Sequence, residues 1–185
     1  MNKRCFRYIG FILALIFIVS SFDTVSEAAA KEVKTKITDS YSEKNIIKKA
    51  PRIKKGTTIV TASKKRTCYV KFTATATKTY KFTFTPEFTE EQNEDFMLGY
   101  FQICRIKYGK LSTQKLKTKG GKYIALNVGN QRYIDAIEAP KNKAKAYMTS
   151  RSTSIKLKKG ETVIISSYIQ KNQNEDKLKY KVVIK

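Results

Sequence analysis

The stretch "YVKFTATATKTYKFTFTP", Tyr69 to Pro86, decides the fold. Apolar side chains occupy even-numbered positions in and just before it, and lysine or threonine occupies most of the odd-numbered positions between them. The apolar set is Cys68, Val70, Phe72, Tyr80, Phe82 and Phe84. Alternation with a period of two indicates strands with one buried and one solvated face. We predict two such strands, joined by the turn 75–78 into a hairpin, although that turn lacks the usual glycine.

Alternation of the same kind predicts further strands, and glycines separate most of them. The predicted strands are Leu98–Ile106, Gln114–Thr118, Tyr123–Val128, Ile155–Leu157, Thr162–Ile169 and Leu178–Ile184. Helix signals are confined to Thr89–Phe96, which carries a capping-box pattern, and to Arg132–Ala139. Many short strands with glycine turns indicate an all-β protein, a sandwich or a barrel, with one or two short helices.

The amino terminus has the pattern of a signal peptide. It begins "MNKRCFRY", which holds three basic residues, and an apolar run follows over residues 9–22. That run is shorter than a typical membrane span, and Ala28–Ala30 match a cleavage pattern. We expect a signal peptide over residues 1–30 with cleavage near Ala30; an uncleaved anchor is the alternative. The remaining chain is then expected to have no integral membrane segment and to be secreted or associated with the cell surface.

The rest of the chain is strongly basic. Residues 31–49 are charged and poor in large apolar side chains, so we expect a charged linker ahead of a single domain over residues 50–185. The whole chain carries 38 Lys and Arg against 15 Asp and Glu, a net charge of +23. Residues 1–30 hold three of the basic and two of the acidic side chains, which leaves +22. Such a charge predicts attraction to polyanions, for example wall teichoic acids, acidic glycans or anionic lipid.

The cysteine and histidine content excludes several kinds of chemistry. Cys68 and Cys104 remain after cleavage, and an even pair in an exported chain predicts a disulfide. Two separately buried thiols are the alternative. The chain has no histidine, which excludes Ser-His and Cys-His catalysis and the ordinary zinc sites. We therefore expect no cofactor and no metal.

The densest acidic group lies in "PEFTEEQNEDF", within residues 87–95. It comprises Glu87, Glu90, Glu91, Glu94 and Asp95. Carboxylates in such a group could bind calcium or act as a pair in glycoside hydrolysis. The spaced aspartates of a calcium loop are missing, so a solvated acidic loop is the favoured interpretation. We expect no enzymatic activity.

Two residue types are candidates for ligand binding. The residues proposed for polyanion binding are Lys64, Lys65, Arg66, Lys115, Lys117 and Lys119. Lysines at every second position also arise from solubility alone, so a binding patch requires that they converge on one surface. Six tyrosines are candidates for stacking against sugars: Tyr100, Tyr108, Tyr123, Tyr133, Tyr147 and Tyr168. Because tryptophan is absent, we expect most of them simply to pack with the hydroxyl at the rim.

The order of these motifs resembles the bacterial pre-peptidase C-terminal domain. The matching pieces are "IKKGTTIVTASKKRTCYVKFTATATKTYKFTFT" at Ile53–Thr85, "IKLKKGETVIISSY" at Ile155–Tyr168 and the closing "LKYKVVIK". In that family a Gly-Thr opening precedes a Y-x-K-F strand, and an L-x-x-G-E-T-x-x-I turn leads to a final Y-x-V strand. The resemblance implies a jelly-roll-like antiparallel β-sandwich. It also implies an accessory role without chemistry of its own, such as binding carbohydrate or wall material.

Together these features predict a secreted, non-catalytic binding module of a Gram-positive cell surface. It would adhere to an anionic cell-wall polymer or glycan through lysine-rich strand faces. No nucleic-acid partner is expected, because no nucleic-acid-binding motif is present and the chain is exported. The alternative is interaction with an extracellular protein, as an inhibitor, chaperone or assembly partner. That role would use a sheet edge or the 130–151 segment, which resembles an insertion.

Overall fold

The computed structural model describes residues 30–62, 67–88, 97–118, 121–130, 132–133, 150–170 and 178–185. These residues form thirteen β-strands and a short α-helix, α1, at Glu43–Lys49. The strands are β1 Lys31–Thr35, β2 Arg52–Ile53, β3 Gly56–Ala62, β4 Thr67–Thr73, β5 Lys78–Pro86, β6 Leu98–Lys107, β7 Lys110–Thr113, β8 Leu116–Thr118, β9 Gly121–Tyr123, β10 Leu126–Gly129, β11 Arg151–Leu157, β12 Thr162–Gln170 and β13 Lys179–Ile184.

Two sheets form a sandwich. The first sheet has the order β1-β3-β13-β5-β11, and the second has the order β10-β6-β12-β4-β2, with β7 beside β6. Consecutive strands β3 to β6 alternate between the two sheets, and so do β10 to β13. β13 lies between β3 and β5, and β12 lies between β6 and β4. Eight strands connected in this way make a jelly roll, which confirms the predicted all-β sandwich.

The core confirms the alternation that the sequence shows. Phe72, Phe82 and Phe84 are buried between the sheets, as are Tyr180 and Val182 of the last strand. Phe84 stacks on Phe101 of the opposite sheet with ring centroids 4.9 Å apart. Because every inward position of β4, β5 and β13 is apolar or aromatic, one continuous core joins the two sheets.

The predicted hairpin is wrong. β4 pairs with β12 and β2, whereas β5 pairs with β13 and β11, so the segment 74–77 crosses from one sheet to the other. The ring centroids of Phe72 and Tyr80 lie 5.1 Å apart across the core, and those of Phe72 and Phe82 lie 5.7 Å apart. The crossing segment has no glycine for a tight hairpin turn. Instead, the Tyr80 hydroxyl accepts from the amide of Ala76 and donates to its carbonyl, at 3.0 and 3.1 Å.

Residues 31–49, predicted as a charged linker, are part of the fold. β1 adds to the edge of the first sheet in parallel pairing with β3, and α1 packs on the second sheet. Val33 and Ile46 are buried. β2 also pairs in parallel, with β4, so the predicted antiparallel sandwich carries a parallel edge strand on each sheet. Few apolar side chains are enough here because strand and helix each bury only one face.

We expect Ile46→Ala to lower the free energy of unfolding by about 2–4 kcal/mol, since Ile46 is 3% exposed between α1 and the second sheet and truncation leaves a cavity. Urea unfolding measures this loss. Lys44→Ala, on the exposed side of the same helix, is the matched control and should change stability by less than about 0.5 kcal/mol. Equal, negligible effects of both changes would mean that α1 is detached, as a linker would be.

Candidate functional site

The outer face of the second sheet is divided into a covered part and an open part. Pairing places Lys71, Ile164 and Cys104 in one row across β4, β12 and β6. Ile46 of α1 and Ile37 before it pack on Ile164 and Cys104 in a small apolar cluster. Two further rows of outward side chains lie nearer the carboxyl end of β12, beyond α1, and face a groove.

The groove has three tyrosines on its floor. One row is Thr67, Tyr168 and Tyr100, and the next is Tyr69, Ser166 and Gln102. These six side chains, with Asp39 and Ala125, line a groove of about 620 Å³. The rings of Tyr100 and Tyr168 lie side by side, with centroids 5.7 Å apart and planes inclined by 39°. Two adjacent rings of this kind form a continuous aromatic surface.

The segment before α1 forms one wall of the groove. The amide of Tyr69 donates to the carbonyl of Ile37 at 3.0 Å, and the Thr35 hydroxyl donates to the carbonyl of Tyr69 at 3.1 Å. These bonds hold the segment against β4. A turn in which the amide of Tyr41 donates to Thr38 follows and carries Asp39 to the groove. The Thr67 hydroxyl reaches an Asp39 carboxylate oxygen at 3.5 Å.

Polar groups surround the aromatic floor, and little charge is present. Among the eight described residues that line the groove, Asp39 alone is charged. Burial raises the pKa of the Tyr69 phenol; a hydrogen bond with Ser166 lowers it and the Asp39 carboxylate raises it. Tyr69 is therefore a neutral hydroxyl at physiological pH. The groove offers apolar ring faces together with neutral donors and acceptors, in an otherwise strongly basic protein.

A second pocket lies on the first sheet and is basic. It is lined by Lys81 of β5, Lys117 and Thr118 of β8, and Ser152, Thr153 and Ser154 of β11, and has a volume of about 340 Å³. The Thr153 hydroxyl donates to the carbonyl of Lys117 at 2.9 Å, which ties β8 to β11. Lys122 stands opposite Lys117 in the β8–β9 pair. None of the described lining residues is acidic, so two ammonium groups and several hydroxyls converge on a space that suits an anion.

Of the predicted polyanion set, one residue lines the basic pocket. Lys117 lies in the basic pocket, and Lys115 is exposed one residue before β8. Lys64, Lys65, Arg66 and Lys119 lie outside the described residues. Sequence patterns did not single out Lys81, because its place beside Lys117 depends on the contact of β8 with β11.

The described tyrosine candidates also lie at different places on the fold. Tyr100 and Tyr168 meet in the groove, whereas Tyr108 is fully exposed in the turn after β6 and Tyr123 lies under the Arg151 guanidinium at 4.9 Å. Tyr147 lies outside the described residues. Tyr69, Gln102 and Ser166 were missed. The sequence pattern predicts their outward positions on strands, but it does not predict the strand order that makes them neighbours.

The predicted disulfide between Cys68 and Cys104 is absent, and the fold explains why. Both cysteines are free and buried. Cys68 lies level with Ser167 and points into the core, while Cys104 lies level with Ile164 and points outward beneath α1. β12 separates their strands by about 10 Å, the three-residue offset adds about 10 Å along the strands, and the side chains point to opposite faces of the sheet.

Among the described residues, no three His, Cys, Asp or Glu side chains lie close enough together to hold a metal ion. Of the acidic segment 87–95, Glu87 forms an ion pair with Lys179 at 2.9 Å. Residues 89–96 lie outside the described part of the chain, including the helix predicted there. The predicted helix at Arg132–Ala139 is described only at residues 132–133.

Comparison with known proteins does not assign the chain to a family. No protein-family model and no curated protein matches the chain. Among solved structures, the chain is similar to CorA, a surface-associated copper-binding protein important in copper acquisition by Methylomicrobium album BG8. The likeness covers 74% of this chain and 98% of that one, with 5% identity and a TM-score of 0.40. At that level it carries no information about a ligand. The resemblance to the pre-peptidase C-terminal domain stays a prediction.

We expect both thiols to be reduced and slow to react in the folded protein. Burial raises the pKa of Cys68 from 9.0 to about 12 and also raises that of Cys104. A raised pKa lowers the thiolate fraction, by about a thousandfold for Cys68 near pH 8. Iodoacetamide labelling followed by mass spectrometry, in a Cys5→Ser background, measures this. Two sites should be labelled in guanidinium without reductant and almost none in buffer; a chain that stays unlabelled in guanidinium would contain the bridge.

Proposed function

We propose that the protein is a secreted, non-catalytic binding module that adheres to an anionic cell-wall polymer or glycan. The observation that carries the proposal is the basic pocket of Lys81 and Lys117, whose described lining includes hydroxyl groups and no carboxylate. Phosphate or carboxylate groups spaced along a polymer would meet both ammonium groups there and accept a hydrogen bond from the exposed hydroxyl of Ser154.

The net charge supports the same ligand class. At +22 after removal of residues 1–30, the protein attracts a polyanion over long range before any contact forms. Lysine suits this task, since its ammonium is a flexible point charge that does not need the bidentate geometry of arginine. Among the described residues no helix is long and apolar enough to cross a membrane.

Binding to isolated Gram-positive walls tests the proposal. The protein should sediment with walls that retain teichoic acids and remain in solution with walls stripped of them. Binding should weaken steeply between low and raised salt, because exposed charge pairs are screened. Retention that is independent of both salt and teichoic acid would exclude the electrostatic mechanism. A protein that stays in solution under every condition would point to a protein partner instead.

The pocket itself is tested by the double change Lys81→Gln and Lys117→Gln. We expect the affinity for purified teichoic acid to fall about fivefold, since two exposed charge contacts are lost. The matched control is Lys34→Gln with Lys44→Gln, two exposed lysines outside the pocket, which removes the same charge. If both pairs weaken binding equally, the net charge rather than the pocket binds the polymer.

A further inference from the structure

We infer that the groove of Tyr69, Tyr100 and Tyr168 is a separate binding site for uncharged pyranose rings of a glycan. This inference does not rest on the basic pocket, which lies on the other sheet. It rests on the composition, size and charge of the groove.

The composition of the groove matches the two kinds of surface on a pyranose. One face of a sugar ring presents C–H bonds, which are weakly positive and apolar and pack on the negative face of an aromatic ring. The ring edge carries hydroxyls that both donate and accept. The adjacent rings of Tyr100 and Tyr168 supply the aromatic surface. Gln102, Ser166 and Thr67 lie beside these rings in the same two rows and supply neutral hydrogen-bonding groups.

The size of the groove limits the ligand to a short saccharide segment. Its floor spans three strands and two residue rows, which is about 10 Å by 7 Å from ordinary sheet spacings. One or two pyranose rings cover such an area. The volume of about 620 Å³ falls within the range of small-ligand sites and exceeds the space that a single ion or an ammonium group would fill.

Charge favours a neutral ligand over an anionic one. The only charged side chain among the described lining residues is the Asp39 carboxylate, which would repel a carboxylate or phosphate and accept a hydrogen bond from a sugar hydroxyl. The groove therefore differs from the rest of this basic surface in the partner it can accept.

The test is a titration of the ¹⁵N-labelled protein, expressed from its full coding sequence, with three uncharged trisaccharides: triacetylchitotriose, cellotriose and maltotriose. At least one should shift the amide signals of Tyr69, Gln102 and Tyr168 and leave those of Lys81 and Ser152 unchanged. Raised salt should not weaken the binding, whereas it should release teichoic acid from the basic pocket. Lack of any shift at millimolar sugar, or shifts located elsewhere, would overturn the inference and leave the proposed wall adhesion untouched.

Variants test whether the sugar contacts the tyrosine rings on the floor of the groove. Tyr168→Ala should weaken binding of the responding sugar about fivefold to tenfold. Tyr168→Phe keeps the ring and should bind within about threefold of the unmodified protein. Tyr108→Ala removes a fully exposed tyrosine outside the groove and should have no effect. If Tyr168→Ala unfolds the protein, Gln102→Ala provides the same comparison at the groove edge. Equal loss in Tyr108→Ala and Tyr168→Ala would contradict the inference.

Discussion

The contact of Phe72 with Tyr80 and Phe82 across the core is the interaction on which the rest of the structure depends. These rings belong to strands that follow each other in sequence but lie in different sheets. Once the chain crosses between sheets at residues 74–77, β4 must find partners other than β5. It pairs with β12, β5 pairs with β13, and the jelly-roll order follows. The crossing is fixed from both sides, since Ala74 exchanges backbone hydrogen bonds with Gly160 and Glu161 in the turn before β12.

Strand identity and the inward faces could be predicted from the sequence, but the pairing of strands could not. The alternation at Val70, Phe72, Phe82 and Phe84 determines which side chains are buried. It is equally compatible with a hairpin and with a crossing between sheets, because in both cases the apolar sides of the two strands face the same core. Only the missing glycine at residues 75–78 argued against a hairpin. The choice is made by long-range partners, β12 and β13, which no local pattern specifies.

Segment 31–49 was missed for a related reason. Its apolar side chains are few and widely spaced, so no periodic pattern marks β1 or α1. Burial of Ile46 and Ile37 against Ile164 is nevertheless enough to hold the helix on the sheet, and Lys71 caps it by donating from Nζ to the carbonyls of Ile47 and Lys48 at 3.0 and 2.9 Å. The consequence reaches the groove, because the segment that leads into α1 provides the wall with Asp39. The groove could not be predicted without it.

The two candidate sites differ in the range of the force each can use. Lys81 lies on the outer side of the first sheet with Lys117 of β8 beside it, and the tyrosines lie on the outer side of the second sheet. Sheets in a sandwich are about 10 Å apart, so the two outer faces are separated by more than the Debye length of about 8 Å at physiological ionic strength. The lysines therefore have little electrostatic effect at the groove, where contact between rings and hydroxyl groups would decide the affinity for a sugar. Under the two proposals, charge brings the protein to a polyanionic surface and the opposite face selects a ligand without charge. A single fold can in this way place long-range attraction and contact recognition on different faces, since the first requires a charged surface and the second an uncharged one.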